Sequence, residues 1–137
     1  MTEPDIEGGC NCGAVRYRLA GAPLAVAVCH CANCRRQSGS AFSVNIVVRA
    51  DAMTLSGELT RWEDRGTESG APVMREFCAT CGSPIRSLSL ATPKVAIIKA
   101  GTADDPGQFV PALHVWTASA LPWADIPPGM PQFPRNP

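Results

Sequence analysis

The sequence predicts a mainly β fold, a small antiparallel β-sandwich or barrel-like single domain with short helical turns. Three observations lead there. The apolar residues recur mostly with period two, the spacing of a strand with one buried face. The chain holds 13 Pro and 12 Gly, residues that break helix interiors and argue against a helical bundle. No segment carries a long helical stripe, and 137 residues are about one domain's worth of chain.

The elements follow in order. Val15, Tyr17 and Leu19 alternate with Arg16 and Arg18, as in a half-buried strand. Leu24 to Val28 is a continuous apolar run that reads as a strand buried on both faces. Ala32 to Ser38 fits one helical turn. Phe42, Val44, Ile46 and Val48 resume the alternation, and Ala50 to Met53 fits a second turn. Leu59 to Arg65, Val73 to Phe77, Ile85 to Leu90 and Val95 to Ile98 complete a set of about seven strands. Breaks at Gly21, Gly57, Gly66, Gly70, Gly82 and Gly101 separate the elements. Trp62, Trp116 and Trp123 are expected to pack in the core or at its edge. The domain is expected to span residues 1–126. Residues 127–137 hold five prolines and form an extended tail that Met130 and Phe133 pin to the surface.

Charge and hydropathy exclude several classes. Lys plus Arg and Asp plus Glu both number 12, so the formal net charge is zero. A general nucleic-acid binder would be basic. The first nine residues have neither a basic segment nor an apolar run, so no signal peptide is read there. The run Leu24 to Cys29 is far short of the roughly 18 residues of a membrane span. The expectation is a cytoplasmic protein whose thiols stay reduced, with no membrane and no nucleic-acid partner. A homo-oligomer is left open.

Seven cysteines are the most informative feature. Cys10 and Cys12 form C-x-C, Cys29, Cys31 and Cys34 form C-x-C-x-x-C, and Cys78 and Cys81 form C-x-x-C. Thiolates this close can reach one ion at about 2.3 Å from each sulfur. An odd count leaves at least one thiol outside any intramolecular disulfide set, which favours metal or catalysis. A structural zinc takes four protein ligands, and a catalytic zinc often takes three and keeps one position open. Seven divides accordingly: the triplet holds one ion, and the two pairs make a closed tetrathiolate that staples distant parts of the chain. The total is two zinc ions per chain. An all-thiolate tetrahedral site favours zinc over an iron–sulfur cluster. A redox pair in the thioredoxin manner would need a helix start in an α/β setting, which the pattern lacks.

The residues near the triplet carry competing readings. In an extended C-x-C the middle side chain points away from both sulfurs, so His30 reads as a surface or supporting residue, with a fourth-ligand role as the alternative. His114 lies in the alternating stretch Leu113 to Trp116 and reads either as a partly buried, satisfied histidine or as a pocket wall and proton carrier. Arg35 and Arg36, followed by Ser38, Gly39 and Ser40, are candidates to bind substrate carboxylates at the metal's rim. A solvated basic turn accounts for them equally well.

Gly9-Cys10-Asn11-Cys12-Gly13-Ala14-Val15-Arg16-Tyr17, Cys29-His30-Cys31-Ala32-Asn33-Cys34-Arg35-Arg36-Gln37-Ser38-Gly39-Ser40 and Phe77-Cys78-Ala79-Thr80-Cys81-Gly82 resemble the glutathione-dependent formaldehyde-activating enzyme family, which includes centromere protein V. The stretch from His114 through Trp123 to Phe133 resembles the same family's ending. The resemblance implies stacked, zinc-bearing β-sheets. It assigns Cys10, Cys12, Cys78 and Cys81 to a structural zinc and Cys29, Cys31 and Cys34 to a catalytic-type zinc. The implied activity is that of a carbon–sulfur lyase, splitting S-(hydroxymethyl)glutathione reversibly into glutathione and formaldehyde, with a glutathione-like thiol as partner. A coordinated thiol loses its proton readily, so delivery of the substrate sulfur as thiolate fits a three-thiolate zinc better than Lewis-acid activation. Two other classes compete: a non-enzymatic, zinc-stabilised binding module, and a thiol-based redox sensor built on the triplet.

Overall fold

A computed structural model describes residues 5–67 and 69–137. Ten strands are present among them. They are β1 Ile6–Gly9, β2 Arg16–Leu19, β3 Ala25–Cys29, β4 Ser43–Arg49, β5 Met53–Ser56, β6 Leu59–Asp64, β7 Val73–Cys78, β8 Pro84–Ser89, β9 Val95–Lys99 and β10 Leu113–Val115. One α-helix, α1 Ala32–Ser38, follows β3, and short 3₁₀ turns, including Ala50–Ala52, fill connections. No helix among the described residues is long and apolar enough to cross a membrane.

The strands form two open sheets. One has the order β1-β2-β5 and the other β10-β3-β4-β9-β8-β7-β6. All pairs are antiparallel except β10 with β3, where Leu113 lies opposite Ala27 and Val115 opposite Cys29 in parallel. The antiparallel expectation therefore holds for all but one edge pair, and neither sheet closes into a barrel. Strands β1, β5 and β10 lie outside the set of about seven read from the sequence.

Alternation along the strands decides what each sheet face meets. Ile46 and Val48 of β4 and Ala96 and Ile98 of β9 are buried against Val15, Tyr17, Leu19 and Ile6 of the small sheet and its flanks. Ile46 and Ile98 are paired across the sheet, and both are fully buried with Leu19. Truncating such a side chain costs about 2–5 kcal/mol. The opposite face carries Ala27, Asn45 and Lys99 in one row, and Ala25, Val47, Ile97 and Ser87 in the next. That second face is not filled by another sheet, and it lines a cavity.

The tryptophans depart from expectation. Trp62 and Trp123 are exposed, whereas Trp116 is buried. Trp62 sits on edge strand β6, where an outward side chain has no second layer to enter. The tail is not a separate appendage. His114 N–H donates to Pro131 O and Phe133 N–H donates to His114 O, so residues 131–133 run along β10. Phe133 and Met130 are half-buried.

The turn between β5 and β6 gives a direct test of the packing. Gly57 has φ +99°, and a Cβ there would lie 2.2 Å from Ala14 O. Gly57→Ala should lower stability by about 1–3 kcal/mol from backbone strain alone, with the clash adding to it. Gly66 has open space around it, and Gly66→Ala should stay within about 0.5 kcal/mol of the parent. Thermal unfolding of the two variants, side by side, checks this, and equal melting temperatures would contradict the packing described.

Candidate functional site

The seven thiols gather into two clusters, as the four-plus-three division predicts. Within each, the sulfurs lie within 4.8 Å of one another, and all seven cysteines are free of disulfides.

The first cluster is built by two turns. Cys10 and Cys12 follow β1, and Cys78 and Cys81 span the β7–β8 turn. Cys10 Sγ lies 3.6 Å from Cys12 Sγ, which is 3.8 Å from Cys78 Sγ. Tetrahedral zinc with sulfurs at about 2.3 Å spaces those sulfurs by about 3.8 Å, so the set fits the ion. Backbone N–H groups of Val15, Thr80 and Cys81 point at Cys10 and Cys78 sulfurs at 3.2–3.4 Å, and these suit thiolates. Gly82, at φ +78°, supplies the left-handed turn that lets its N–H reach Cys78 O. Asn11 N–H donates to Ser83 Oγ and ties the two turns together. Hydrogen bonds from the Ser83 hydroxyl and backbone, then from the Cys12 backbone, pull the Cys81 thiol down to about 5.

The second cluster is buried. Cys29 ends β3, Cys31 is the N-cap of α1, and Cys34 lies one turn on, each 7–8% exposed. Cys31 Sγ accepts from Cys34 N–H at 3.2 Å, so the cap that starts the helix also fixes the spacing of two sulfurs. Hydrogen bonds from Cys31 and Cys34, followed by burial, push the Cys29 thiol up. Hydrogen bonds from Cys29 and Cys31, supported by the charges of Arg75 and Lys99 against the effect of burial, pull Cys34 far down. Three buried thiols cannot all ionise unaided, and this donor set fits a soft divalent cation such as zinc with three protein ligands.

Cations that the sequence reading missed surround this triplet. Arg75 Nη1 lies 3.9 Å from Cys34 Sγ, and the same guanidinium pairs with buried Asp64 at 3.1 Å and reaches Ser87 Oγ. Asp64 in turn accepts from Asn33, which stands between Cys31 and Cys34. Lys99 Nζ donates to Ser43 Oγ at 2.7 Å, and Ser43 donates to Asn45 Oδ1. Burial holds Lys99 below the ordinary lysine value. Trp116 packs on the cysteines with φ +57°, a left-handed conformation unusual for a bulky residue. The three cysteines, Arg75, Lys99 and Trp116 all line one cavity of about 560 Å³.

The remaining candidates fall elsewhere. Arg35 is half-buried, Arg36 is exposed, and Ser38, Gly39 and Ser40 form the helix C-terminus and the turn after it. None of the five lines the cavity. His30 lies outside the sulfur cluster, as extended C-x-C geometry requires, but it is fully buried and not on the surface. Its Nε2 lies 2.9 Å from Nδ1 of buried His114, and the two rings stack. Its backbone N–H donates to Val115 O, so the pair fastens β10 to β3. Burial, with His114 adding to it, lowers His30, and burial lowers His114. Neither histidine lines the cavity.

A family model described as "Glutathione-dependent formaldehyde-activating enzyme" matches residues 5–119. A Halomonas elongata protein named "Putative glutathione-dependent formaldehyde-activating enzyme" is 27% identical over 128 residues, covering 88% of this chain and 80% of that protein. A crystal structure of a Rhodobacter sphaeroides protein superposes with TM-score 0.57 at 18% identity, over 93% of this chain and 98% of that one. That likeness concerns the fold.

The two clusters should respond differently to cysteine loss. The cluster at Cys10, Cys12, Cys78 and Cys81 joins segments 66 residues apart, so the binding energy of a metal held there would also be folding energy. Cys78→Ser should give poorly soluble or unfolded protein. The triplet comes from one short segment, and Cys31→Ser should leave a folded domain that holds less metal than the parent. Element analysis and thermal unfolding of both variants, side by side, decide the matter. Equal unfolding by both variants would make the triplet structural.

Proposed function

Because the chain belongs to the glutathione-dependent formaldehyde-activating enzyme family, we propose that it is a zinc-dependent carbon–sulfur lyase acting on a glutathione-type thiol adduct of formaldehyde or a related aldehyde. The observation that carries this reading is the buried Cys29, Cys31 and Cys34 triplet opening on a cavity beside Lys99. A purely structural cluster would need neither the cavity nor a buried ammonium without a carboxylate partner among the described residues. In this reading two zinc ions are held per chain, one by Cys10, Cys12, Cys78 and Cys81 and one by the triplet. Seven free thiols suit a reducing, cytoplasmic setting.

Zinc at the triplet would supply a position that stabilises the substrate sulfur as a thiolate. The chain's own residues supply the proton chemistry. Cleaving the hemithioacetal breaks the C–S bond, whose electron pair stays with sulfur. The hydroxyl loses its proton, and the freed oxygen pair forms the carbonyl. Lys99 in its neutral form takes that proton, and its ammonium returns it when the adduct forms. Burial, which lowers Lys99, makes the neutral form accessible nearer neutral pH, where a base works best. Ser43, hydrogen-bonded to both Lys99 and Asn45, fixes the position of the amine. Arg75, held in place by its pair with Asp64, directs its guanidinium at Cys34.

Two-dimensional exchange NMR on glutathione, formaldehyde and their adduct measures interconversion directly. Zinc-loaded protein should accelerate it, and the absence of acceleration would remove the lyase reading. Lys99→Met should reduce turnover about 10²–10⁴-fold, the scale of a lost acid–base group, with zinc content unchanged. Arg35 and Arg36 lie off the cavity wall, so alanine at either should alter glutathione affinity by less than a charge-assisted contact's about 1.5–3 kcal/mol. A full loss of that size would return them to the carboxylate-binding role suggested by their position after Cys34.

A further inference from the structure

The cavity is far larger than formaldehyde and unlike glutathione. Formaldehyde has one carbon and one oxygen, yet the space measures about 560 Å³, within the range that encloses drug-sized ligands. Its sheet floor one row beyond Lys99 is made of Ala25 of β3, Val47 of β4 and Ile97 of β9, with Val73 and Leu113 also on the wall, and uncharged hydroxyls of Thr67, Ser69, Ser89 and Thr92 line the rest. Ala25, Val47 and Ile97 stand side by side in one row of the sheet, one row beyond Ala27, Asn45 and Lys99. Small alanines leave the room, and the branched residues make its surface apolar. Glutathione carries two carboxylates and an ammonium. Among the described residues no carboxylate side chain on the wall is free for the ammonium, and of the wall cations Arg75 is already paired with Asp64. Lys99, at the cysteine end, is the remaining one. Burying charged groups over Ala25, Val47 and Ile97 would leave them unpaired and desolvated, which is strongly unfavourable.

We propose that the aldehyde half of the adduct carries an apolar body, a chain or ring of about six carbons, which lies over Ala25, Ala27, Val47 and Ile97 with its oxygen toward Lys99. The charged ends of the thiol stay at the mouth in water. The proposal rests on the lyase reading and narrows its substrate from formaldehyde to apolar aldehydes. Each methylene taken from water into such a wall should tighten binding about fourfold, so chain length should be read strongly.

The test uses zinc-loaded full-length protein with glutathione and either formaldehyde or hexanal, with adduct formation followed by NMR. The expected kcat/KM for hexanal exceeds that for formaldehyde at least tenfold. The non-reactive 1-hexanol should give a saturation-transfer NMR signal that hexanal displaces. Ala25→Phe fills the floor and should lower the hexanal-to-formaldehyde ratio at least tenfold. If that variant is insoluble, Ala25→Val, a smaller intrusion, is read the same way with at least a threefold drop. Turnover of formaldehyde with a ratio of one or less, or a ratio untouched in a soluble, zinc-loaded variant, overturns the proposal and leaves the lyase reading standing. Failure to turn over either aldehyde overturns both.

Discussion

Four sulfurs drawn from two turns 66 residues apart cannot share a few ångströms as anions unless a cation sits among them. The strain of that proximity is visible in the thiols themselves. Cys81 is held down to about 5 by Ser83 and the Cys12 backbone. Cys12, despite a hydrogen bond from the Ala14 backbone, is pushed up to about 11, chiefly by its neighbour Cys10. The small sheet depends on this junction. Its three strands are four residues each, too short to stand alone without packing against a second layer. The cluster fixes the turn after β1 to the turn after β7, so the small sheet sits over Ile46, Val48 and Ile98 in one register. Gly9 and Gly57 complete the clamp: a Cβ on Gly9 would lie 2.2 Å from Val15 O, and one on Gly57 equally close to Ala14 O.

The same electrostatic constraint organises the other face of the large sheet. Three thiols buried there need positive charge nearby, and the chain supplies it from two distant strands. Arg75 comes from β7 and Lys99 from β9. Arg75 cannot be buried alone either, and Asp64 on β6 neutralises it while accepting from Asn33 of α1. One hydrogen-bonded chain thus runs from the far edge of the sheet to the helix that carries Cys34. Among the described residues Lys99 has no such carboxylate, which leaves its charge directed at the cysteine cluster and the cavity. Stability and site chemistry share these groups, and the polar end of the cavity is rigid because each member holds another in place.

Much of this was legible in the chain, and the limits are physical. Alternation marked β2 and β4 to within a residue or two, because each has one face on a core, and continuous apolar runs marked β3 and β9 as closely. Strand β1 is Ile-Glu-Gly-Gly, where two glycines erase the pattern, and β10 is only three residues long. Its parallel pairing depends on where the chain returns, which no local periodicity records. The cysteines were readable because metal ligands cluster in sequence when turns present them. Arg75, Asp64 and Lys99 were not, because each enters the site from a strand with no motif around it. Arg35 and Arg36 drew attention by adjacency to Cys34, but successive helical residues turn by about 100°. With Cys31 and Cys34 facing the cavity, the next two side chains are carried around α1 and away from it.

The proline-rich tail shows how an apparently unstructured sequence can finish a site. Sheet edge β10 has a free side, and an exposed edge invites pairing with another chain. The tail covers it. Beyond β10, Trp116 takes its left-handed turn, and its N–H and that of Thr117 donate to Arg135 O and Phe133 O. Pro131 and Pro134 serve only as acceptors, for His114 and Ala118 N–H groups. Proline suits these positions because it offers a carbonyl, has no N–H to satisfy, and is already extended before it docks. The indole N–H of Trp116 then reaches Asn136 Oδ1 at 2.9 Å, and both residues line the cavity beside the cysteines. The strained tryptophan is therefore the hinge by which the edge cover becomes a wall of the site. Its backbone cost is met by the hydrogen bonds that the returning tail makes.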